Sequence, residues 1–447
     1  MSLLERYLSL EDYHESVTSN DVSPDELPVP EVEVPEVRDV TEDELEEAEE
    51  LLEDLNTSEV EQERAVEEVE RFNEEVGVAV ESFDRMLAVF RFGLENHQFS
   101  PQLAAFADQA IKQYGEVLGA QEVPSFEDYS SDDLEVYYGK VVAALEDYVS
   151  DTTNRQSGVV SRKLSEFVGK LVDNSRVKKF QAVVTQCDVM ISELNALPSG
   201  SVEVKLSGGM RKALSMGGDI PSNLVDGVKK ERATMNWVFG TYLKSAVSYH
   251  TAIFNTIEES RKISSVDELK KLIHQKIPAK TPEAAMGDTI LKGTGLFGNV
   301  KYKVRTDSDP RVDVLDPTGA VLAHLPVREK VEVKGGEKAV KVDKGMLVKL
   351  LQEVKSNAIF MAEQTKKTGK ELNTVIVNSR PEVQRGGNVG WFFLAARQRA
   401  RLLNWAHTYA WVFIPFVNEM AIRSLSSQKS LVKFAKKGVT QLKKQES

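Results

Sequence analysis

Charge divides this chain into two parts that obey opposite folding rules. Residues 1–150 hold 41 Asp and Glu against 8 Lys and Arg, a net of −33. Residues 151–447 hold 29 acidic against 48 basic residues, a net of +19. The overall charge of −14 and the pI near 5.2 hide both halves. A block of like charge repels itself, so the front of the chain resists collapse on its own and tends to stay open or to serve as an interaction segment. A surplus of Lys and Arg over the remainder favours polyanions, nucleic acid first among them. The two parts should also attract each other, which casts the N-terminal third as a built-in decoy or a removable prosegment.

With 447 residues the chain exceeds the size at which a single core keeps growing, so two or three domains are expected. One cysteine, Cys187, rules out a disulfide framework and fits a reducing compartment. It sits in Val183-Val184-Thr185-Gln186-Cys187-Asp188-Val189, which suits a small buried hydrophobe better than a nucleophile. The opening Met1-Ser2-Leu3-Leu4-Glu5-Arg6 has no basic n-region, and Glu5, Glu11 and Asp12 interrupt any apolar run, so no secretory signal is expected. Leu402–Asn418 is free of Lys, Arg, Asp and Glu for 17 residues. It contains Asn404, His407, Thr408 and Pro415 and falls short of the ~20 apolar residues of a span, so it predicts a buried helix and no stable membrane span.

Patterning then sets the organisation. Residues 1–40 read as a disordered acidic leader, with Pro24, Pro28, Pro30 and Pro35 disfavouring helix. Residues 41–146 read as an acidic helical region and candidate propeptide. Thr41-Glu42-Asp43-Glu44 has capping-box spacing and predicts a helix start, although Leu45, Leu51, Leu52 and Leu55 are too sparse to predict its burial. Phe83, Met86, Leu87, Phe90 and Leu94 mark one face of a packed helix. Residues 147–286 read as a basic helical domain. Ser161–Leu194 and Leu224–Ile257 are its long helices, and 198–221 is glycine-rich and irregular. Residues 287–342 alternate in Val300-Lys301-Tyr302-Lys303-Val304, Val312-Asp313-Val314 and Val331-Glu332-Val333, predicting a small antiparallel β element of three to five strands. Residues 343–447 read as a C-terminal helical region with a Lys-rich end, opened by Asp343 as a cap. The expected fold class is mainly α: multi-helix bundles, a small antiparallel β insertion at about 287–342 and a disordered acidic N-terminus.

Catalytic signals are weak. Gly293-Thr294-Gly295-Leu296-Phe297-Gly298-Asn299-Val300 matches G-x-G-x-x-G-x-V, but a dinucleotide site needs a helix after the glycines and here a strand follows. A kinase loop does lie between strands, yet no H-R-D-x-x-x-x-N or D-F-G occurs downstream. A turn beside a hairpin is the better reading. The 6 histidines stand singly, with no metal-ligand spacing. His250 and His407 lie in apolar helical stretches and read as packing residues. No nucleophile elbow, Walker A or zinc-protease motif is present, so neither enzyme activity nor a cofactor or metal is expected. The basic features carry more weight. Lys429, Lys433, Lys436, Lys437, Lys443 and Lys444 share much of one face of a C-terminal helix, with Arg397, Arg399 and Arg401 preceding it. Cations near phosphates release counterions and give salt-sensitive, sequence-independent affinity. The same helix lying on a membrane surface is the weaker option, and a plain solvated face the unspecific one.

Several stretches together resemble the internal head (inner-body) proteins of very large tailed bacteriophages. They are the start Met1-Ser2-Leu3-Leu4-Glu5-Arg6-Tyr7-Leu8-Ser9-Leu10-Glu11, the long acidic leader, the segment from Arg211 through Gly217-Gly218 and Pro221 to Val225, and the aromatic helix followed by a lysine-rich one. The resemblance implies a structural virion protein of the capsid interior, made in the host cytoplasm during assembly. It would be packaged beside double-stranded DNA and other capsid-interior proteins, and the resemblance also allows for ejection with the genome. It also implies a phage maturation protease that removes an acidic propeptide by cutting after Glu in small-x-Glu tripeptides. Ala120-Gln121-Glu122 and Ala144-Leu145-Glu146 are the candidates, with cleavage after Glu122 or Glu146. Two other readings stay open: a cytosolic non-enzymatic scaffold or nucleic-acid-binding protein autoinhibited by its acidic tail, and an enzyme built around the β insertion with nucleotide at Gly293–Gly298.

Overall fold

Periodic apolar residues and capping side chains place the helices. The computed structural model describes residues 29–38, 40–53, 85–118, 133–143, 174–260, 265–304, 326–333, 339–378 and 393–446, with a few single residues between these spans. In chain order they form α1 (Glu42–Glu53), α2 (Pro101–Leu118), α3 (Asn174–Ala196), β1 (Ser201–Lys205), α4 (Gly208–Leu214), α5 (Leu224–Asn236), α6 (Leu243–Glu259), α7 (Val266–Lys276), α8 (Asp288–Leu291), β2 (Val300–Lys303), β3 (Val327–Lys330), β4 (Ala339–Asp343), α9 (Lys344–Asn378) and α10 (Phe393–Glu446). The protein is mainly α, and among the described residues the strands form two small antiparallel ladders. Of the leader expected to be disordered, 29–38 carries neither helix nor strand, and 1–28 lies outside the described residues.

The main core gathers around α3, α5, α6, α9 and α10. Asp343 caps α9 by accepting the Met346 N–H at 2.8 Å. Behind that cap Leu347, Leu350, Leu351, Val354, Ala358 and Met361 recur at helical spacing and are fully buried. Each large aliphatic chain so placed contributes roughly 1.5–3 kcal/mol. α10 runs for 54 residues, through Pro415. Its segment Leu402–Asn418 passes through the core, with Leu402, Trp405, Tyr409, Phe413, Ile414 and Val417 buried. Even the polar Asn418 is buried there, and it accepts from Arg176 Nη1 of α3 at 2.5 Å. Among the described residues no helix is long and apolar enough to cross a membrane.

The predicted helix Leu224–Ile257 is interrupted by a π turn at Trp237–Tyr242 between α5 and α6. The wider turn directs Trp237, Val238, Phe239 and Tyr242 all inward, and Trp237 stacks on Tyr242 with ring centroids 5.4 Å apart. Asn223 opens α5: its side chain accepts the Val225 N–H at 3.1 Å.

The β structure differs in detail from the expected insertion. β2 pairs with β3 inside 287–342, with Val300 opposite Lys330 and Lys303 opposite Val327. β4 instead leaves the insertion and pairs with β1, Val202 opposite Val342 and Val204 opposite Val340. β1 lies in the stretch read as irregular, although Ser201-Val202-Glu203-Val204-Lys205 alternates and buries both valines. The Val312–Val314 strand falls outside the described residues. The glycine motif is a self-packed turn. Gly293 has φ +69, its carbonyl accepts the Gly217 N–H at 2.8 Å, and a Cβ there would sit 2.1 Å from the Val300 carbonyl.

A second, smaller core belongs to the acidic half alone. Met86, Leu87 and Phe90 meet Ala104, Ala107 and Ile111 of α2 and Leu134, Tyr137, Tyr138, Val141 and Leu145. Phe90 and Tyr138 have centroids 4.3 Å apart. Negative charge therefore does not prevent this part of the chain from folding, because the apolar face is dense enough to close on itself.

One buried acid ties α5, α9 and α10 together. Both Glu231 carboxyl oxygens lie 2.8 Å from Ser427 Oγ, and Asn357 Nδ2 donates to Oε2 at 3.3 Å. Burial pushes Glu231 up from 4.5 to about 8, against the hydrogen bonds that oppose the shift. The folded state then holds a proton that the unfolded chain releases above about 4.5. The resulting stabilisation is complete below that pH and is lost as pH rises through about 8. Thermal denaturation from pH 5 to 9 should show the melting temperature falling across this window. Glu231→Gln, which imitates the protonated acid, should flatten that part of the profile.

Candidate nucleic-acid interface

The C-terminal lysines are displayed by the packing of their own helix. Leu431, Phe434, Ala435, Val439 and Leu442 of α10 face the core. Gly438 lets the helix approach α9 closely, since a Cβ there would lie 2.9 Å from Leu347 Cδ1. With that side buried, the 3.6-residue period turns Lys433, Lys436, Lys437, Lys443 and Lys444 outward, and all five are exposed. Lys429 is half-buried. The lysines thus form one stripe over the last four turns of α10. Arg397, Arg399 and Arg401 lie in the first turns of the same helix, and their side chains fall outside the described residues. Twenty-eight residues of helix separate Arg401 from Lys429, about 40 Å at 1.5 Å per residue, so the arginines and lysines are not one patch.

Acids from the rest of the chain reach the stripe. Lys443 Nζ is 3.0 Å from Glu193 Oε1 of α3, and Lys436 Nζ is 2.7 Å from Glu49 Oε1 of α1. The second pair joins the acidic front of the chain to its basic end, 387 residues apart in sequence. It is also open to water, with side chains 65% and 48% exposed, so it contributes at most about 1 kcal/mol and weakens with salt.

What holds α1 in place lies deeper. Thr41 and Glu44 form the expected capping box: the Thr41 N–H donates to Glu44 Oε2 at 3.0 Å, and the Glu44 N–H to Thr41 Oγ1 at 3.3 Å. The Thr41 amide, aided by Arg38, holds the Glu44 carboxyl below its ordinary value. Contrary to the sequence expectation, α1 is not merely a solvated helix, because Ala48 is buried in the main core. Preceding it, residues 29–38 run as an extended strap. Val32 packs against the core, and Arg38 Nη2 donates to Thr185 Oγ1 of α3 at 3.2 Å. Beneath the strap, Lys355 of α9 is only 1% exposed. Its ammonium donates to the carbonyls of Pro35 at 2.7 Å and Glu36 at 3.3 Å, and to Asp188 Oδ1 of α3 at 2.8 Å.

Lys355 and Asp188 were missed at the level of sequence. A signal existed: Lys355 occupies a position on the buried stripe of α9, four residues after Leu351, where an aliphatic is expected. Cys187 beside Asp188 is fully buried, and burial raises its thiol pKa, as suits a packing residue. His250 is buried with its ring against Phe254 and Phe413. The candidate cleavage residues Glu122 and Glu146 lie outside the described residues, and Leu145, just before Glu146, is helical and fully buried. Among the described residues no group of three or more His, Cys, Asp or Glu is placed to hold a metal ion. Comparisons with protein families, curated proteins and solved structures find no match to this chain.

Removing one member of each ion pair should separate the two kinds of contact. Lys436→Ala should cost less than about 1 kcal/mol in urea unfolding. Lys355→Met should cost about 3–5 kcal/mol, because it strands Asp188 in the interior. Adding Asp188→Leu to Lys355→Met should recover much of that loss.

Proposed function

We propose that this chain is a non-enzymatic polyanion-binding protein of a large phage capsid interior. Its exposed C-terminal lysine stripe lies against double-stranded DNA, and its acidic N-terminal segment acts as an intramolecular cover whose covalent link to the body proteolysis cuts. The observation that supports this reading most is the Glu49–Lys436 pair, which sets the acidic segment at the edge of the basic stripe. The charge split supplies the driving force: the acidic cover lowers the attraction of the whole chain for phosphates, and its loss leaves a strongly cationic remainder. The sequence resemblance to inner-body proteins supplies the setting. Binding of this kind carries no base specificity, since lysines on a helix face meet phosphates and not base edges.

A cytosolic scaffold autoinhibited by its acidic tail would use the same pair. The two readings part at the N-terminus of the chain in its natural setting, where the phage reading requires a mature end after Glu122 or Glu146.

Fluorescence anisotropy with a random-sequence duplex tests the binding face. Affinity should fall with salt, with a slope of log K on log[salt] of about −4 to −5 if five lysines engage. Changing Lys433, Lys436 and Lys437 together to Ala should bring the slope nearer zero by about 2 to 3. Replacing the exposed Glu46, Glu47 and Glu49 of α1 together by Gln should tighten binding by the full chain several-fold at low salt. Unchanged affinity of that variant, or a lysine triple variant with an unchanged slope, would overturn the proposal.

A further inference from the structure

Lys355 is answered by backbone as well as by a side chain. Its three ammonium protons meet one carboxylate, Asp188, and two main-chain carbonyls, Pro35 and Glu36. Those carbonyls are free because the strap is neither helix nor strand, and its prolines keep it so. The side chains of residues 33–38 are exposed, so the body reads the strap chiefly through its backbone. On either side of this point, Val32 and Ala48 enter the main core, and Arg38 ties the strap to Thr185. The contact therefore combines a buried, charge-assisted set of hydrogen bonds with two apolar anchors. Neither depends on the exposed ion pair at Lys436.

We propose that the surface where α3 packs on α9, around Thr185, Asp188 and Lys355, is a peptide-binding site that reads the main-chain carbonyls of an extended, proline-bearing strap. Its occupant is residues 29–53 of this chain, which stay bound when the chain is cut downstream of them. The proposal builds on the cleaved-leader reading above and changes its sequence of events. Cleavage does not by itself uncover the lysine stripe. It removes the tether, and with it the high effective concentration of the strap, so that the leader becomes exchangeable. Until it leaves, Glu49 remains beside Lys436. The energetics favour retention. Departure of the strap would take two of its three acceptors from the Lys355 ammonium, leave water to replace them, and expose the apolar surface that Val32 and Ala48 cover.

The test uses the full chain with a site-specific protease sequence placed between residues 56 and 62, cut to completion and passed over a sizing column at micromolar concentration. The fragment carrying residues 29–53 should co-elute with the body both at low salt and in 1 M NaCl, because buried hydrogen bonds and apolar anchors are screened little. The change Ala48→Asp, which leaves Lys355 untouched, should release the fragment from the cut protein. Separation of the unmodified fragments at either salt concentration would overturn the proposal. So would aggregation of the body after cutting, which means the strap has left, and so would undiminished co-elution with Ala48→Asp. None of these outcomes depends on DNA affinity, so failure of the lysine stripe to bind DNA is read separately.

Discussion

A lysine ammonium with 1% of its side chain exposed is tolerated only when every proton finds an acceptor and a negative charge stands close by. Lys355 of α9 meets that condition through two other parts of the chain: Asp188 on α3 and the strap carbonyls of Pro35 and Glu36. The packing of α3 against α9 and the docking of the N-terminal segment are thereby made mutually dependent. Moving either helix would separate the charges, and moving the strap would take away two of the three acceptors of Lys355. Buried ion pairs often add little net stability over an apolar substitute, but they discriminate strongly against arrangements that break them. Here the pair specifies where the leader lies.

The leader is accordingly held by two kinds of force with different reach. Long-range attraction between a front of −33 and a remainder of +19 brings the parts together, and salt weakens it within about 10 Å at 0.1 M. The contacts at Lys355, Val32 and Ala48 are short-ranged, dry and indifferent to salt. Net charge accounts for the affinity of the two halves in general, whereas the buried contacts account for the particular place where residues 29–53 rest. The acidic region also divides within itself. Residues 29–53 contribute to the main core, while residues 86–145 supply a small core of their own. A single label of acidic tail would merge a strap and a folded helical unit that follow different rules.

Much of the helical framework was legible, and the reasons are local. The capping box at Thr41, the cap at Asp343 and the apolar spacing of Leu347 to Ala358 act within one or two helical turns, so they appear directly in the order of residues. The buried course of Leu402–Asn418 followed from length and from its polar interruptions. The lysine stripe followed from period and from the apolar residues opposite it. The strand at Ser201–Lys205 was obscured by the glycines around it and by a partner, β4, that lies more than a hundred residues later. The π turn at Trp237 gives no periodic signal, because one inserted residue shifts the register without breaking the apolar pattern. Glu231, Lys355 and Asp188 looked like ordinary charged residues on helices, and only their neighbours on other elements make them buried.

From residue order alone came the two opposed charge blocks, the helix-rich class, the helix starts and the outward lysine face, since each depends on neighbours within a few positions. Tertiary structure decided which acidic residues touch the basic half, which of the two ladders β4 joins, and that α1 is anchored in the core instead of floating above it. The physical reason is the same for all three. Burial and ion pairing are properties of sites assembled from distant segments, and the free energy of a charge is set by the atoms that replace its water.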